Sequence, residues 1–283
     1  MPQSIPYISV ITINFNDHIG LERTILSVVS QTYANFEYIV IDGGSSDGSK
    51  KVIEQYQDKI THWVSEPDKG IYHAMNKGVK QAKGEYCLFM NSRDFLCTPH
   101  TLEAAAKEIK KVGTDFCTGN LICYKKDKVC GVIFPPKNSN FLILNKNLEH
   151  QATFARKTWL EQFPFSEETK IIGDWQNFVT SISVNGATYS PIKTTIALYD
   201  ISGFSCINPE ILIKERQNFK DSLIPTWFQN ELDTIFTNNT HLFTISYHKH
   251  PVLFLLIKYL KKIKSQPAKY WYKIKYNNKL KNF

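Results

Sequence analysis

The sequence predicts an α/β fold: a Rossmann-like, mostly parallel sheet with helices on both faces, followed by a basic helical extension at the C-terminus. Three observations predict it. Short apolar, β-branched runs recur through residues 7–90, and the segments between them carry apolar residues at helical spacing. Each run is also stopped by polar residues, which a parallel sheet would collect along one edge.

The elements follow in order. Residues 7–14 (YISVITIN) read as a buried strand, and Leu21, Ile25, Val28 and Val29 mark the apolar face of a helix. Residues 36–41 (FEYIVI) form a second strand stopped by Asp42-Gly43-Gly44, after which Ser45, Ser46 and Asp47 are helix-start residues. Residues 60–65 make a third strand, 70–83 a third helix ending at Gly84, and 85–90 (EYCLFM) a fourth strand. After residue 97 the alternation stops. A helix over about 99–111 leads to strands near 114–125 and 128–134, a hairpin turned at Lys126-Asp127. Helices near 156–163 and 173–184 and a strand near 187–199 follow, with no Pro/Gly/Ser linker to separate them from the sheet.

Bulk properties narrow the class. With 283 residues, 42% apolar and 13% aromatic, the chain supports a core without staples. No stretch reaches the ~20 apolar residues that span a bilayer, and Met1-Pro2-Gln3-Ser4 lacks signal-peptide character, so a cytoplasmic protein is expected. The six cysteines form no C-x-x-C pair and read as reduced, buried small side chains. The net charge of +8 is localised: residues 241–283 hold ten lysines and no Asp, Glu or Arg. The basicity therefore belongs to a tail and not to a cleft for nucleic acid, which excludes nucleic acid as the expected partner.

Ligands of such sheets bind beyond the C-terminal strand ends, which here carry Asn14, Asp42, Glu66-Pro67-Asp68 and Asn91-Ser92-Arg93-Asp94. The Asp42–Ser49 stretch closes a strand and opens a helix; its carboxylate can accept from a base or ribose, and its glycines admit a ligand to the backbone. It reads equally as a simple strand–helix turn. The dinucleotide fingerprint G-x-G-x-x-G is absent, which weakens an oxidoreductase reading. A carboxylate at 94 can hold Mg²⁺ or Mn²⁺ against a diphosphate, whereas Arg93 can neutralise phosphate itself. Asp174, near a predicted helix start, reads on spacing as an N-cap, and His150 alone as a structural histidine.

Taken together, Ser27–Tyr33, Tyr38–Gly48, Ser65–Tyr72 with Ala74–Gly78, and His150-Gln151-Ala152-Thr153-Phe154 resemble the family 2 glycosyltransferases, in the group that builds O-antigen and other surface polysaccharides. The resemblance covers about residues 7–185. It implies a GT-A fold with a nucleotide-sugar-binding half over 1–97, an acceptor-binding half of the same domain over 98–205, and a basic extension over 206–283. By the family pattern, Asp42 contacts the nucleobase, the backbone around Thr12 and Asn14 lines the same pocket, and Asp68-Lys69 lies nearby. Asn91, Ser92, Arg93 and Asp94 stand where the family carries its D-x-D-type metal motif, and Asp174 matches its general base. His150, Gln151 and Trp175 are assigned to the acceptor or donor-sugar pocket.

Three departures matter. Arg93 replaces the expected metal-ligand Asp, so either Asp94 holds Mn²⁺ or Mg²⁺, or Arg93 supplies the positive charge. Gly173 replaces a frequent acidic residue, and Gln176 a frequent Asp. The absence of Q-x-x-R-W favours single-sugar transfer. The implied activity is inverting transfer from a nucleotide sugar, by family habit UDP-linked, to a lipid-linked oligosaccharide. Clustered lysines and aromatics in residues 246–283 suit an anionic membrane surface, which places the enzyme peripherally on the inner face of the cell membrane. The competing reading is a non-catalytic relative that binds a nucleotide sugar as a partner protein.

Overall fold

The computed structural model describes residues 5–126, 128–137, 148–203 and 208–223. The described residues up to Leu212 belong to one compact unit and those from Ile213 to a second, and everything below concerns the first of them unless stated. Its chain order is β1 (Ile8–Asn14), α1 (His18–Val29), β2 (Phe36–Asp42), α2 (Ser49–Gln55), β3 (His62–Ser65), α3 (Ile71–Gln81), β4 (Tyr86–Asn91) and β5 (Phe95–Leu96). There follow α4 (Thr101–Val112), β6 (Phe116–Lys125), β7 (Lys128–Ile133), β8 (Thr153–Arg156), α5 (Lys157–Gln162), α6 (Gly173–Val179) and β9 (Tyr189–Asp200).

The nine strands of the described residues join one sheet, ordered β3-β2-β1-β4-β8-β6-β9-β5, with β7 on the flank of β6. Strands β1 to β4 run parallel, and β6 is parallel to β9, while β8 runs antiparallel to both β4 and β6. The residues expected to form two halves thus share one hydrogen-bonded sheet, joined where β4 pairs with β8 and again where β5 pairs with β9. The four-residue β8 and the two-residue β5 have no sequence period of their own and exist through their partners.

Alternation along β1 sorts the core. Val10 packs in the layer with Leu21, Ile25 and Leu102 of α1 and α4, all fully buried. Ile11 faces the other way, onto α3, where a Cβ at Gly78 would lie 2.4 Å from Ile11 Cγ2. Gly78 therefore lets α3 sit directly on the sheet.

At the opposite edge from the polar strand ends, Glu37 is buried and accepts from Ser9 Oγ (2.5 Å), the Lys83 amide (2.5 Å) and the Gly84 amide (3.0 Å). One carboxylate so ties β1, β2 and the turn into β4. The helix start expected at Ser45–Asp47 lies later: α2 begins at Ser49 after Gly48 (φ 103°), because Ser45 bonds back to Asp42. The second unit is described only within the helix α7 (Pro209–Leu223), so the lysine-rich segment 246–283 lies outside the described residues. Among the described residues no helix is long and apolar enough to cross a membrane.

Candidate active site

The parallel register brings the ends of β1, β2, β3 and β4 into line: Asn14 pairs with Asp42, Asp42 with Ser65, and Ile13 with Asn91. Their side chains form a continuous network. Asp42 is fully buried and accepts from Asn14 Nδ2 (2.7 Å), Ser45 Oγ (2.6 Å), the Ser45 amide (3.0 Å) and Ser65 Oγ (2.6 Å). Ser92 Oγ donates to Asn14 Oδ1 at 2.6 Å. Asp42, expected to touch a base, is thus saturated by the chain's own donors and acts as the anchor of the Gly43-Gly44 loop. Thr12 is also fully buried, its hydroxyl paired with the Tyr38 hydroxyl at 2.9 Å, so its side chain lies below the edge.

Above that floor stands a cradle the sequence reading did not foresee. Phe15 follows Asn14 and leaves 67% of its surface exposed. A Cβ at Gly43 would meet the Phe15 ring at 3.2 Å and Asp68 Oδ2 at 3.4 Å. Asp68 is oriented by Lys77 Nζ (2.6 Å) and His73 Nδ1 (2.9 Å) on Oδ1, while its buried Oδ2 has no hydrogen-bond partner. An aromatic face and a buried, unpartnered carboxylate oxygen thus flank a residue with no side chain. Lys69 beside them is exposed.

A second cluster gathers at the end of β4. Because β8 runs antiparallel to β4, the turn His150–Ala152 before it arrives at Asn91. Asn91 Nδ2 donates to His150 Nε2 (3.0 Å), and His150 Nδ1 donates to Asp174 Oδ2 (2.6 Å). Tyr72 Oη donates its single proton chiefly to the Ile171 carbonyl (2.5 Å), with Asp174 Oδ1 as a longer, shared acceptor (3.2 Å). Asp174 lies in the first turn of α6, after its N-cap Ile172, where the helix dipole favours a carboxylate. Trp175 is buried next to it. Burial pushes the Tyr72 hydroxyl well above its ordinary range, with Asp174 adding to the effect, so Tyr72 stays a neutral donor. Burial works to lower the His150 pKa, but the Asp174 carboxylate outweighs it and the net shift is upward. Asn91 Oδ1 has no partner; turning that amide over would let it accept from a doubly protonated imidazole.

Gly173 is explained by this packing: a Cβ there would lie 2.7 Å from the Tyr72 ring. The loop after β4 holds the motif expected to bind a metal, and the residues do not fit a divalent ion. Asp94 is 4% exposed, and both of its oxygens are engaged inside the fold: Oδ2 accepts from Gln151 Nε2 (3.0 Å) and Oδ1 from the Asp200 amide (3.3 Å). Burial pushes its carboxyl up to about 7. Arg93 is paired with Asp17. Among the described residues no three His, Cys, Asp or Glu side chains converge to hold an ion.

A carboxyl raised in the fold stabilises it below the unfolded pKa and loses that contribution as pH rises through about 7. Asp94→Asn is therefore expected to raise the melting temperature at pH 8.5 by about 3 °C and to flatten its decline between pH 5 and 8. Gln151 Oε1, buried without a partner, is available to an amide at position 94. A lower melting temperature for the variant at pH 8.5 would refute this.

Residues 9–158, just over half of the chain, match the model of Glycosyl transferase family 2. The chain belongs to glycosyltransferase family 2. An uncharacterized glycosyltransferase of Mycobacterium tuberculosis is 36% identical over 157 residues, 53% of this chain and 59% of the relative. The chain thus spans about three-fifths of the length of that curated relative. A PGL/p-HBAD biosynthesis glycosyltransferase of Mycobacterium bovis is 26% identical over 203 residues, 70% of this chain and 78% of the relative. Among solved structures, S. aureus TarS 1–349 in complex with UDP-GlcNAc superposes with a TM-score of 0.58 at 22% identity, covering 69% of this chain and 58% of that one. The mannosyltransferase PcManGT of Pyrobaculum calidifontis, in complex with GDP-Man and Mn²⁺, gives 0.53 at 18%, covering 70% and 58%. These likenesses establish the GT-A fold of the family 2 chain.

Proposed function

We propose that the protein is an inverting, non-processive glycosyltransferase that moves one sugar from a UDP-sugar to a lipid-linked oligosaccharide in surface-polysaccharide assembly, at the inner face of the cell membrane. The observation that carries the reading is Asp174: a carboxylate at a helix start, held on both oxygens by Tyr72 and His150 at the same sheet edge as the nucleotide cradle. An acceptor hydroxyl has a pKa far above neutral, so a fixed carboxylate must take its proton as the new bond forms. The two fixed donors leave each oxygen a further lone pair to accept that proton. With one base and attack opposite the leaving nucleotide, one displacement inverts the anomeric centre. Asn91 links the base cluster to the Ser92–Asn14–Asp42 network, so donor and acceptor groups share one frame.

On the donor side, Phe15 stacks on the base and Asp68 Oδ2 accepts from its ring N–H, which suits the imide of uracil. The support for UDP is the TarS complex and that single acceptor. Asp42, Asn14 and Ser92 hold the floor, and Lys69 stands at the rim. The test is calorimetry with UDP, GDP and dTDP, followed by transfer assays with UDP-sugars. Phe15→Ala is expected to weaken UDP binding about 30-fold, from the loss of one aromatic stack. An unchanged affinity would remove Phe15 from the base site, and binding of none of the three nucleotides would sink the reading.

A further inference from the structure

We propose that Arg93 is the cation for the donor's diphosphate in this chain, parked on Asp17 at rest and transferred to the phosphates when the nucleotide binds. The inference rests on the C-terminal sheet edge being the nucleotide-sugar site. A departing nucleoside diphosphate needs positive charge beside it. The loop after β4 is where the chain has such charge, but as a guanidinium and not as a set of metal ligands.

The local geometry is that of a cation held ready. Arg93 Nε donates to Asp17 Oδ2 at 2.7 Å and Nη2 to Oδ1 at 3.2 Å, a two-point contact that fixes the guanidinium plane. Nη1 takes no partner among the described residues, and half of the side chain is exposed (51%). An exposed ion pair of this kind contributes little net stability, so exchange of one carboxylate for a doubly charged diphosphate is downhill.

Three features are spent on keeping Arg93 there. Its backbone takes the left-handed conformation (φ 77°), which costs energy for a side chain with a Cβ. The Tyr124 hydroxyl secures that conformation by donating to the Arg93 carbonyl at 2.6 Å. Gly20 makes room: a Cβ there would lie 2.5 Å from Arg93 Cγ and 2.2 Å from Asp17 Oδ2. Asp17 also caps α1 through the Gly20 amide at 3.3 Å, so the resting acceptor is itself fixed.

The neighbouring cations are placed differently. Lys77 is committed to Glu66 and Asp68. Lys69 is exposed beside the cradle at Gly43, on the side of the base. Arg93 instead follows Ser92, whose amide donates to the Ile13 carbonyl at 3.1 Å where β1 and β4 end.

The test is calorimetric titration of the full-length protein with UDP and with uridine, each in EDTA and in Mn²⁺. Mn²⁺ is expected to change the wild-type Kd for UDP by less than about threefold. Arg93→Ala is expected to weaken UDP binding about 30-fold and leave uridine binding within about twofold, which separates lost charge from lost fold. Asp17→Asn keeps the helix cap but not the ion pair, and is expected to tighten UDP binding about threefold. Undiminished UDP binding by Arg93→Ala, or wild-type binding that Mn²⁺ tightens more than about tenfold, overturns the assignment of the cation. Asp17→Asn that binds UDP no better than wild type overturns the resting contact. A wild-type protein that binds neither UDP nor uridine refutes the nucleotide site itself.

Discussion

Asp174→Asn is expected to lower kcat by about 10³-fold while the Kd for UDP stays within about twofold. The amide is isosteric and can still occupy the position between Tyr72 and His150, but it cannot take a proton. The loss belongs to the chemical step, so KM for the donor should hold while turnover collapses. His150→Asn makes the complementary case. It removes the 2.6 Å donor that orients Asp174 and shortens the reach to Asn91, and a smaller loss of turnover is expected, about 10-fold to 100-fold. Steady-state kinetics with a UDP-sugar and calorimetry with UDP measure both quantities. Wild-type turnover by Asp174→Asn would exclude it as the base.

The largest effect on stability is expected at Glu37, far from any ligand. Glu37→Ala leaves Ser9 Oγ and the amides of Lys83 and Gly84 facing an apolar interior without that acceptor. Removing one side of a buried charged hydrogen-bond group costs roughly 3–5 kcal/mol. For a domain of this size that corresponds to a fall in melting temperature of about 10 °C. Glu37→Gln keeps an acceptor oxygen and is expected to recover about half of the loss. Thermal melts followed by circular dichroism decide the matter, and an alanine variant as stable as wild type would exclude the tying role.

Much of the first ninety residues was legible because a parallel sheet buried on both faces writes itself as apolar runs, with helices in between at another period. The polar residues that end those runs were therefore readable as one edge of the sheet, the edge at which the proposed site lies. What pairing creates was not legible. β8 is four residues long and looks like an extension of the His150-Gln151 motif, yet it carries that motif to Asn91. The Arg93–Asp17 pair spans 76 residues of sequence, and neither residue announces the other. Asp42 shows the reverse limit: its position at the edge was readable, but its four donors were not. Phe15 did leave a signal. A large aromatic stands one residue past the polar end of a buried strand, which leaves its face free for the base of the proposed nucleotide site.

The contact between Gly173 and Tyr72 also orders the mutational paths open to this chain. A side chain at position 173 would need both the Tyr72 ring and Thr169 Oγ1, each 2.7 Å from where its first carbon would stand, to give way. Tyr72 cannot be trimmed freely either, because its hydroxyl also reaches Asp174. Room for an acidic neighbour and the seating of Asp174 are therefore coupled in this chain: a change at 173 is expected to be tolerated only together with a shift of Tyr72 and Thr169.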